Sequence, residues 1–387
     1  MEDIIVVGCG FAGAVAARKL AEEKKKRVVI LEKRSHIGGN MYDSEDINGI
    51  LVHWYGPHIF HTESKRIFEY LRRFTEWVRY EHKVMGNIRG QLVPIPFNYS
   101  SLEDLFPEDN ASDLKCRLSR TFPNKTRISI LELLKSDDAE VKRFGRAVYD
   151  MVFVNYTAKQ WGVPPEKIDS SVINRVPVVL GYDNKYFQDP IQYMPTNGFT
   201  RLFDNMISHP NINVEVNCDA SKRIRLDRKR GRVYFDGKVW DRPIVYTGAL
   251  DELMEYEFGA LPYRSLDLVF ERYKMNYYQL AAVVNYPNEE KFTRITEFKH
   301  FTCERASTET TILKEYPMDY DITAPKGNIP YYPIINEENL ILYAKYRDAL
   351  RRFGNIYPCG RLAEYRYYNM DAVVDRALSL CESLGIK

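Results

Sequence analysis

The chain has 387 residues, 45% of them hydrophobic and 28% charged, and its 55 basic and 53 acidic side chains leave a formal net charge of +2. That hydrophobic fraction excludes a disordered chain, and a near-neutral balance argues against non-specific nucleic-acid binding, which needs a clustered excess of Lys and Arg. At roughly 150 residues per domain, the length predicts two to three domains with cores of their own. No run of about 18 apolar residues exists, so a membrane-spanning helix is excluded. The most apolar stretch, 4–17, is broken by Gly8, Gly10 and Gly13 and preceded by Glu2 and Asp3, the wrong sign for a secretory signal peptide. The scattered cysteines (Cys9, Cys116, Cys218, Cys303, Cys359, Cys381) contain no Cys-x-x-Cys pair, which fits free thiols in a reducing cytoplasm better than disulfides or structural zinc. Tyr outnumbers Phe by 28 to 19, which hints at polar pockets walled by aromatic rings.

Residues 3–34 read as strand, tight turn, helix, strand. Ile4-Ile5-Val6-Val7 is a continuous β-branched run, as a strand buried on both faces requires. Gly8-Cys9-Gly10-Phe11-Ala12-Gly13 follows, then a helix predicted over Ala14–Glu23, then a second buried strand, Val28-Val29-Ile30-Leu31, ending at Glu32. Each part has a role in dinucleotide binding: Gly8 permits the turn, Gly10 lets backbone approach a pyrophosphate, and Gly13 lets helix and strand pack closely. The free N–H groups of the helix start, with Phe11 and Ala12 beside them, attract phosphate, and Glu32 can accept from a ribose diol. Behind Glu32 stand Lys33 and Arg34, then Gly38-Gly39-Asn40. This resembles the extended fingerprint of FAD-binding proteins of the glutathione-reductase and amine-oxidase type, so FAD is preferred; Glu32 would repel the 2′-phosphate of NADP.

Residues 100–162 read as helical. Ser100-x-x-Glu103 and Ser129-x-x-Glu132 are read as capping boxes, and Val141, Phe144, Val148, Met151 and Val152 share one helical stripe. Gly162, with Pro164 and Pro165 beyond, predicts that this helix stops at Trp161. The Pro-punctuated stretch of about 164–182 is a candidate mobile loop. The basic run Lys222–Arg232 reads as a solvated strand and turn, and 260–335 as antiparallel strands. Near the C-terminus, 355–358 reads as a strand leading to Gly360-Arg361, and 370–384 carries apolar residues at helical spacing. The first and last segments are therefore expected to fold together around the cofactor.

Five separated motifs stand in order along the chain: Tyr55–Thr62 (YGPHIFHT), Asn155–Gly162 (NYTAKQWG), Phe292–Glu297 (FTRITE), Ile329–Ile334 (IPYYPI) and Tyr365–Asp371 (YRYYNMD). Together with the FAD fingerprint they closely resemble the bacterial UDP-galactopyranose mutase family. The resemblance implies an α/β fold: a Rossmann-like FAD-binding domain (1–80, 195–255 and 336–387) with an inserted helical domain (100–165) and an antiparallel β-sheet domain (81–99, 183–194 and 256–335). It implies an isomerase that interconverts UDP-galactopyranose and UDP-galactofuranose with no net redox change. In that chemistry N5 of reduced FAD attacks the anomeric carbon, UDP leaves, and the sugar re-closes from a flavin-iminium adduct. An outside reductant such as NAD(P)H, a homodimer and a cytoplasmic location are expected with it, and no metal, membrane or nucleic acid.

Residue by residue, the resemblance implies that Arg175 and Arg294 neutralise the diphosphate, with Tyr186, Tyr332 and Tyr367 as hydroxyl donors. Tyr156 would stack on uracil with Trp161 lining that pocket, while Asn285 and Asn369 would contact substrate. Asn369 stands where the family often has Asp and so takes no acid–base role. His58 is expected against the flavin or sugar and counted with the catalytic residues. Gly8, Gly10, Phe11, Ala12, Gly13, Glu32, Lys33, Gly39, Asn40, His58, Ile59, Gly360, Arg361 and Met370 would hold the cofactor. His58-x-x-His61 has metal-ligand spacing but lacks further Cys or His partners, so zinc is not expected. The rival readings are a flavin oxidoreductase of the amine-oxidase type, a flavin-free binding module of the GDP-dissociation-inhibitor sort, and a mutase for the N-acetylated sugar.

Overall fold

A strand made only of β-branched residues must be covered on both faces, and Ile4–Val7 achieves this at the centre of a five-stranded parallel sheet. A computed structural model of the chain describes residues 2–162, 176–302, 308–324 and 328–384. Ile212–Glu215 and Val28–Leu31 lie on one side of the central strand, Ile244–Tyr246 and Ile356–Pro358 on the other, all in parallel register. The helix Phe11–Glu22 covers one face and starts earlier than Ala14 because Gly10 itself is the N-cap. The C-terminal helix Met370–Ser383 packs directly against it, so both ends of the chain share one core.

The second large sheet has seven strands in the order Tyr332–Pro333, Tyr263–Tyr273, Thr310–Asp319, Arg294–Glu297, Val283–Asn285, Val84–Ile88 and Gln91–Ile95. Its pairings are antiparallel except that between Val283–Asn285 and Val84–Ile88. Segment 183–194, expected here, is corrected: its strand Ile191–Pro195 pairs with Phe60–Thr62 and Trp77–Arg79 instead. That three-stranded sheet leans on the first core through Phe60, Phe68 and Met194.

The helical insertion has its own core of Leu102, Leu118, Ile130, Leu133, Val141, Phe144 and Val148. The box at Ser129 and Glu132 forms as read, but that at Ser100 does not. Asn98 caps the helix Tyr99–Leu105, with Ser101 as its reciprocal partner, because the chain turns one residue before the serine pair. The long helix read up to Trp161 is interrupted by a π-helical stretch, Tyr149–Val154, and resumes as Asn155–Trp161, where Gly162 closes it in the left-handed conformation (φ +70°).

Asp43 fastens the helix Gly198–Ile207 to the cofactor-side core. Its buried carboxylate accepts from Phe199 N at 2.6 Å and Thr200 N at 2.7 Å, and the Thr200 hydroxyl donates to Asp43 O at 2.7 Å. An Asp43→Ala variant removes a helix cap and strands two buried donors, so its unfolding free energy is expected to fall by about 2 kcal/mol in urea titrations.

Candidate active site

The C-terminal ends of the parallel strands open into a cavity of about 1030 Å3. Gly8 turns there with φ +92°, where a side chain would be strained. A Cβ on Gly13 would stand 2.0 Å from Gly8 O, and one on Gly39 would stand 3.0 Å from Gly10 Cα, so strand, helix and second glycine turn meet at backbone distance. Gly10 provides no side-chain cap, which leaves the first N–H groups of helix Phe11–Glu22 open to the cavity. Glu32 is buried, and its two oxygens accept from Cys9 N at 2.7 Å and Arg34 N at 2.9 Å. Each oxygen keeps a lone pair for a diol. Lys33 bonds Glu252 at 2.7 Å across the mouth, and Asn40 accepts from Arg34 Nη2 at 2.9 Å. Gly360, Arg361 and Met370, from the returning C-terminal segment, complete the far wall.

A second cavity of about 570 Å3 lies between the helical insertion and the seven-stranded sheet. Pro57, His58, Arg294, Tyr332, Arg361 and Met370 line both cavities and mark where they meet. Arg294 opens its strand opposite Glu315, with Nε 3.4 Å from Glu315 Oε2. Burial works against both charges; the carboxylate holds the guanidinium protonated, while Glu315 itself titrates above the usual carboxylate range. Tyr332 and Tyr367 stack with ring centres 5.5 Å apart, and the Arg361 guanidinium lies over both at 5.6 and 5.2 Å. Trp161 closes on the same pair at 6.3 and 6.4 Å. Burial pushes the Tyr156 hydroxyl up to about 12 and, with Arg361 and His53 nearby, holds His58 well below its ordinary value. At neutral pH the tyrosine is therefore a donor and His58 is uncharged.

The sequence profile of the UDP-galactopyranose mutase family matches residues 151–367, and that of an NAD(P)-binding Rossmann-like domain matches 6–74. A UDP-galactopyranose mutase of Mycoplasma genitalium is 36% identical, covering 99% of this chain and 94% of that protein. An Escherichia coli dTDP-fucopyranose mutase is 34% identical, covering 100% of this chain and 99% of its own. The chain belongs to the UDP-galactopyranose mutase family. In structure, a reduced UDP-galactopyranose mutase superposes with a TM-score of 0.73 at 17% identity, covering 99% of this chain and 93% of that one. A putrescine oxidase with putrescine bound superposes at 0.57 and 12% identity, which is likeness of fold alone.

The residues that family resemblance singled out come together from at least five separate segments. Tyr156, Trp161, Tyr186, Asn285, Arg294, Tyr332, Tyr367 and Asn369 all line the second cavity, and Asn285 Oδ1 is buried there without a partner among the described residues. Ile59 is a correction: it lines the second cavity and not the first, while its neighbour His58 lines both. Gly13 lines neither cavity and acts only through helix–strand packing. Arg175 lies outside the described residues.

Sequence reasoning missed the groups that hold these side chains still. Lys159 Nζ donates to the carbonyls of Tyr286, Glu290 and Phe292 at 2.6, 2.8 and 3.2 Å. Buried Arg264 donates Nε to Gln160 O at 3.0 Å and Nη2 to Lys159 O at 3.2 Å, capping the helix that carries Tyr156 and Trp161. Both bonds join residues more than a hundred positions apart, so no local pattern announces them. Arg264→Met leaves those last carbonyls uncapped and the aromatic pocket loose. UDP binding, followed by tryptophan fluorescence, is expected to weaken about tenfold, about 1.4 kcal/mol.

Proposed function

We propose that the protein is a flavin-dependent nucleotide-sugar mutase interconverting UDP-galactopyranose and UDP-galactofuranose. The observation that carries this reading is the junction of two cavities, one cradled by glycine turns and a helix N-terminus, the other walled by arginine, tyrosine and tryptophan. The first fits FAD: backbone approaches at Gly10 and Gly39, Glu32 stands ready for a ribose, and the C-terminal return reaches the inner end. Reduced FAD, when bound, supplies an electron-rich nucleophile for the anomeric carbon.

The chain's own residues supply binding, orientation and charge. Arg294, braced by Glu315, neutralises the diphosphate as it departs and waits, and Arg175 is its partner in this reading. Tyr186, Tyr332 and Tyr367 donate hydroxyl hydrogen bonds to the phosphate oxygens, and Tyr156 and Trp161 give the base a flat apolar platform. Asn285 and Asn369 read sugar hydroxyls. Neutral His58 stands at the seam between cofactor and sugar without adding charge there. No helix among the described residues is long and apolar enough to cross a membrane. A cytoplasmic homodimer primed by an external reductant such as NAD(P)H completes the reading carried over from the family resemblance.

A second substrate enters through the dTDP-fucopyranose mutase relative, whose name differs in both base and sugar. The amine-oxidase alternative has no use for a cationic, tyrosine-lined cavity. Dithionite-reduced, FAD-loaded protein is expected to convert UDP-galactofuranose to the pyranose on chromatography, faster than dTDP-fucofuranose, and without consuming oxygen. Conversion only by oxidised protein with oxygen uptake would overturn the proposal. Arg294→Ala is expected to lower kcat by about 100-fold or more with the flavin spectrum retained. Glu32→Ala should release FAD more readily on gel filtration, whereas unchanged retention would remove Glu32 from the cofactor site.

A further inference from the structure

Between the described walls of the second cavity lies an Asp–His pair that the roles above leave unused. His61, in strand Phe60–Thr62, sends Nδ1 to Asp189 Oδ2 at 2.7 Å. Its ring lies flat on Phe187, with centres 3.6 Å apart and planes 12° apart. The turn that carries both partners is pinned by Gln192, whose amide donates at 2.9 Å to the carbonyls of Phe187 and Asp189. Gln192 in turn stands directly opposite His61 in the sheet. The imidazole is thus fixed on three sides, its proton-bearing nitrogen committed to a carboxylate. Nε2 has no partner among the described residues, and the side chain borders the cavity.

Among the described residues, the other histidines, tyrosine and cations that border that cavity are poorly placed to exchange a proton near neutral pH. Burial, with the Arg294 and His61 charges, pushes His82 down to about 3, and burial raises Tyr156 to about 12. His58 has no carboxylate partner and is held uncharged. Glu315 is committed to Arg294, and Arg127, Arg294 and Arg361 remain cationic. Of these neighbours Arg127 and His82 are the ones whose fields touch the pair: Arg127 acts on Asp189, and His82 feels His61. Asp189 is held below the usual carboxylate range, first by the hydrogen bond from His61, and so remains the anion that an imidazolium needs.

We propose that the His61–Asp189 pair is the proton shuttle of the ring contraction, with His61 Nε2 touching the sugar hydroxyls; this rests on the mutase reading. Changing a six-membered sugar ring into a five-membered one moves one proton. The bond from the anomeric carbon to the ring oxygen breaks, its electron pair stays with that oxygen, and His61, starting as the imidazolium, delivers its Nε2 proton there. The reduced cofactor, when bound, would supply the compensating electron pair that the anomeric carbon needs. In the closing step the 4-hydroxyl gives its proton to Nε2 as its oxygen bonds the anomeric carbon, the borrowed electron pair is released again, and the imidazolium is restored. No oxidant or reductant is consumed.

Three measurements on FAD-loaded protein test this. His61→Gln keeps a polar side chain that cannot carry the proton, and kcat of the reduced enzyme with UDP-galactofuranose is expected to fall about 100-fold or more, while UDP affinity and flavin spectrum stay near wild type. Asp189→Asn removes the anion that favours imidazolium, so the basic limb of the kcat–pH profile should move to lower pH, the direction a purely structural role would not give. In oxidised, non-turning-over protein with 15N-labelled histidine, the His61 Nε2 signal should shift with UDP-galactose but not with UDP. A His61→Gln enzyme within about threefold of wild-type kcat, or an Nε2 signal that responds equally to UDP alone, overturns the shuttle and leaves the mutase reading standing. A wild-type protein inactive on either UDP-sugar overturns both.

Discussion

A guanidinium taken out of water costs several kcal/mol unless a matched anion and further polar partners meet it. Arg294 is placed under that constraint, and much of the site follows from it. Its strand position opposite Glu315 supplies the anion, and the long strand that carries Glu315 is itself held in register by Tyr263–Tyr273 on its other side. Glu315 cannot satisfy the whole fork, since the approach is a single 3.4 Å contact from Nε. Arg294 lines both cavities, and among the described residues no second carboxylate is paired with it. A diphosphate, with several oxygens and two charges, is the kind of group that completes such an arrangement.

The same economy of position explains why three parts of the fold are needed. The parallel sheet builds a cradle only because both chain ends return to it: Gly8–Ala12 from one side and Gly360, Arg361 and Met370 from the other. The antiparallel sheet contributes the fixed cation. The helical insertion contributes aromatic faces, and its last helix is fastened to the sheet by Arg264 and by the three carbonyls around Lys159. Trp161 therefore meets the Tyr332–Tyr367 stack as a rigid wall. The His61–Asp189 pair sits on a fourth element, the small sheet that ties residues 60–62 to 191–195. In the proposed reading, charge neutralisation, base stacking and proton exchange rest on different supports.

Legibility in the sequence followed the range of the interaction. The strand Ile4–Val7, the glycine turn, the Ser129 cap and the stop at Gly162 were readable because each is decided within a few residues by sterics and local hydrogen bonding. The cap at Asn98 was misplaced by two residues because two neighbouring polar side chains compete for the same free N–H groups. The π-helical stretch at Tyr149–Val154 contains no Gly or Pro to announce it. Strand Ile191–Pro195 was put in the wrong sheet for a different reason: its alternation suits any half-buried edge, and only the partner strands choose between them.

What the sequence by itself determined was the local chemistry: a dinucleotide turn with its acid, ordered family motifs, and a set of arginines and tyrosines suited to a diphosphate. What only the tertiary structure decided was which of these groups share a wall, which are neutral, and which are held. The pairing of Arg294 with Glu315, of Arg264 with a helix end and of His61 with Asp189 joins positions 21, 104 and 128 residues apart. Such contacts depend on burial and on the closing of the chain around them, and a buried charge or proton site acquires its strength only when water has been displaced from every side.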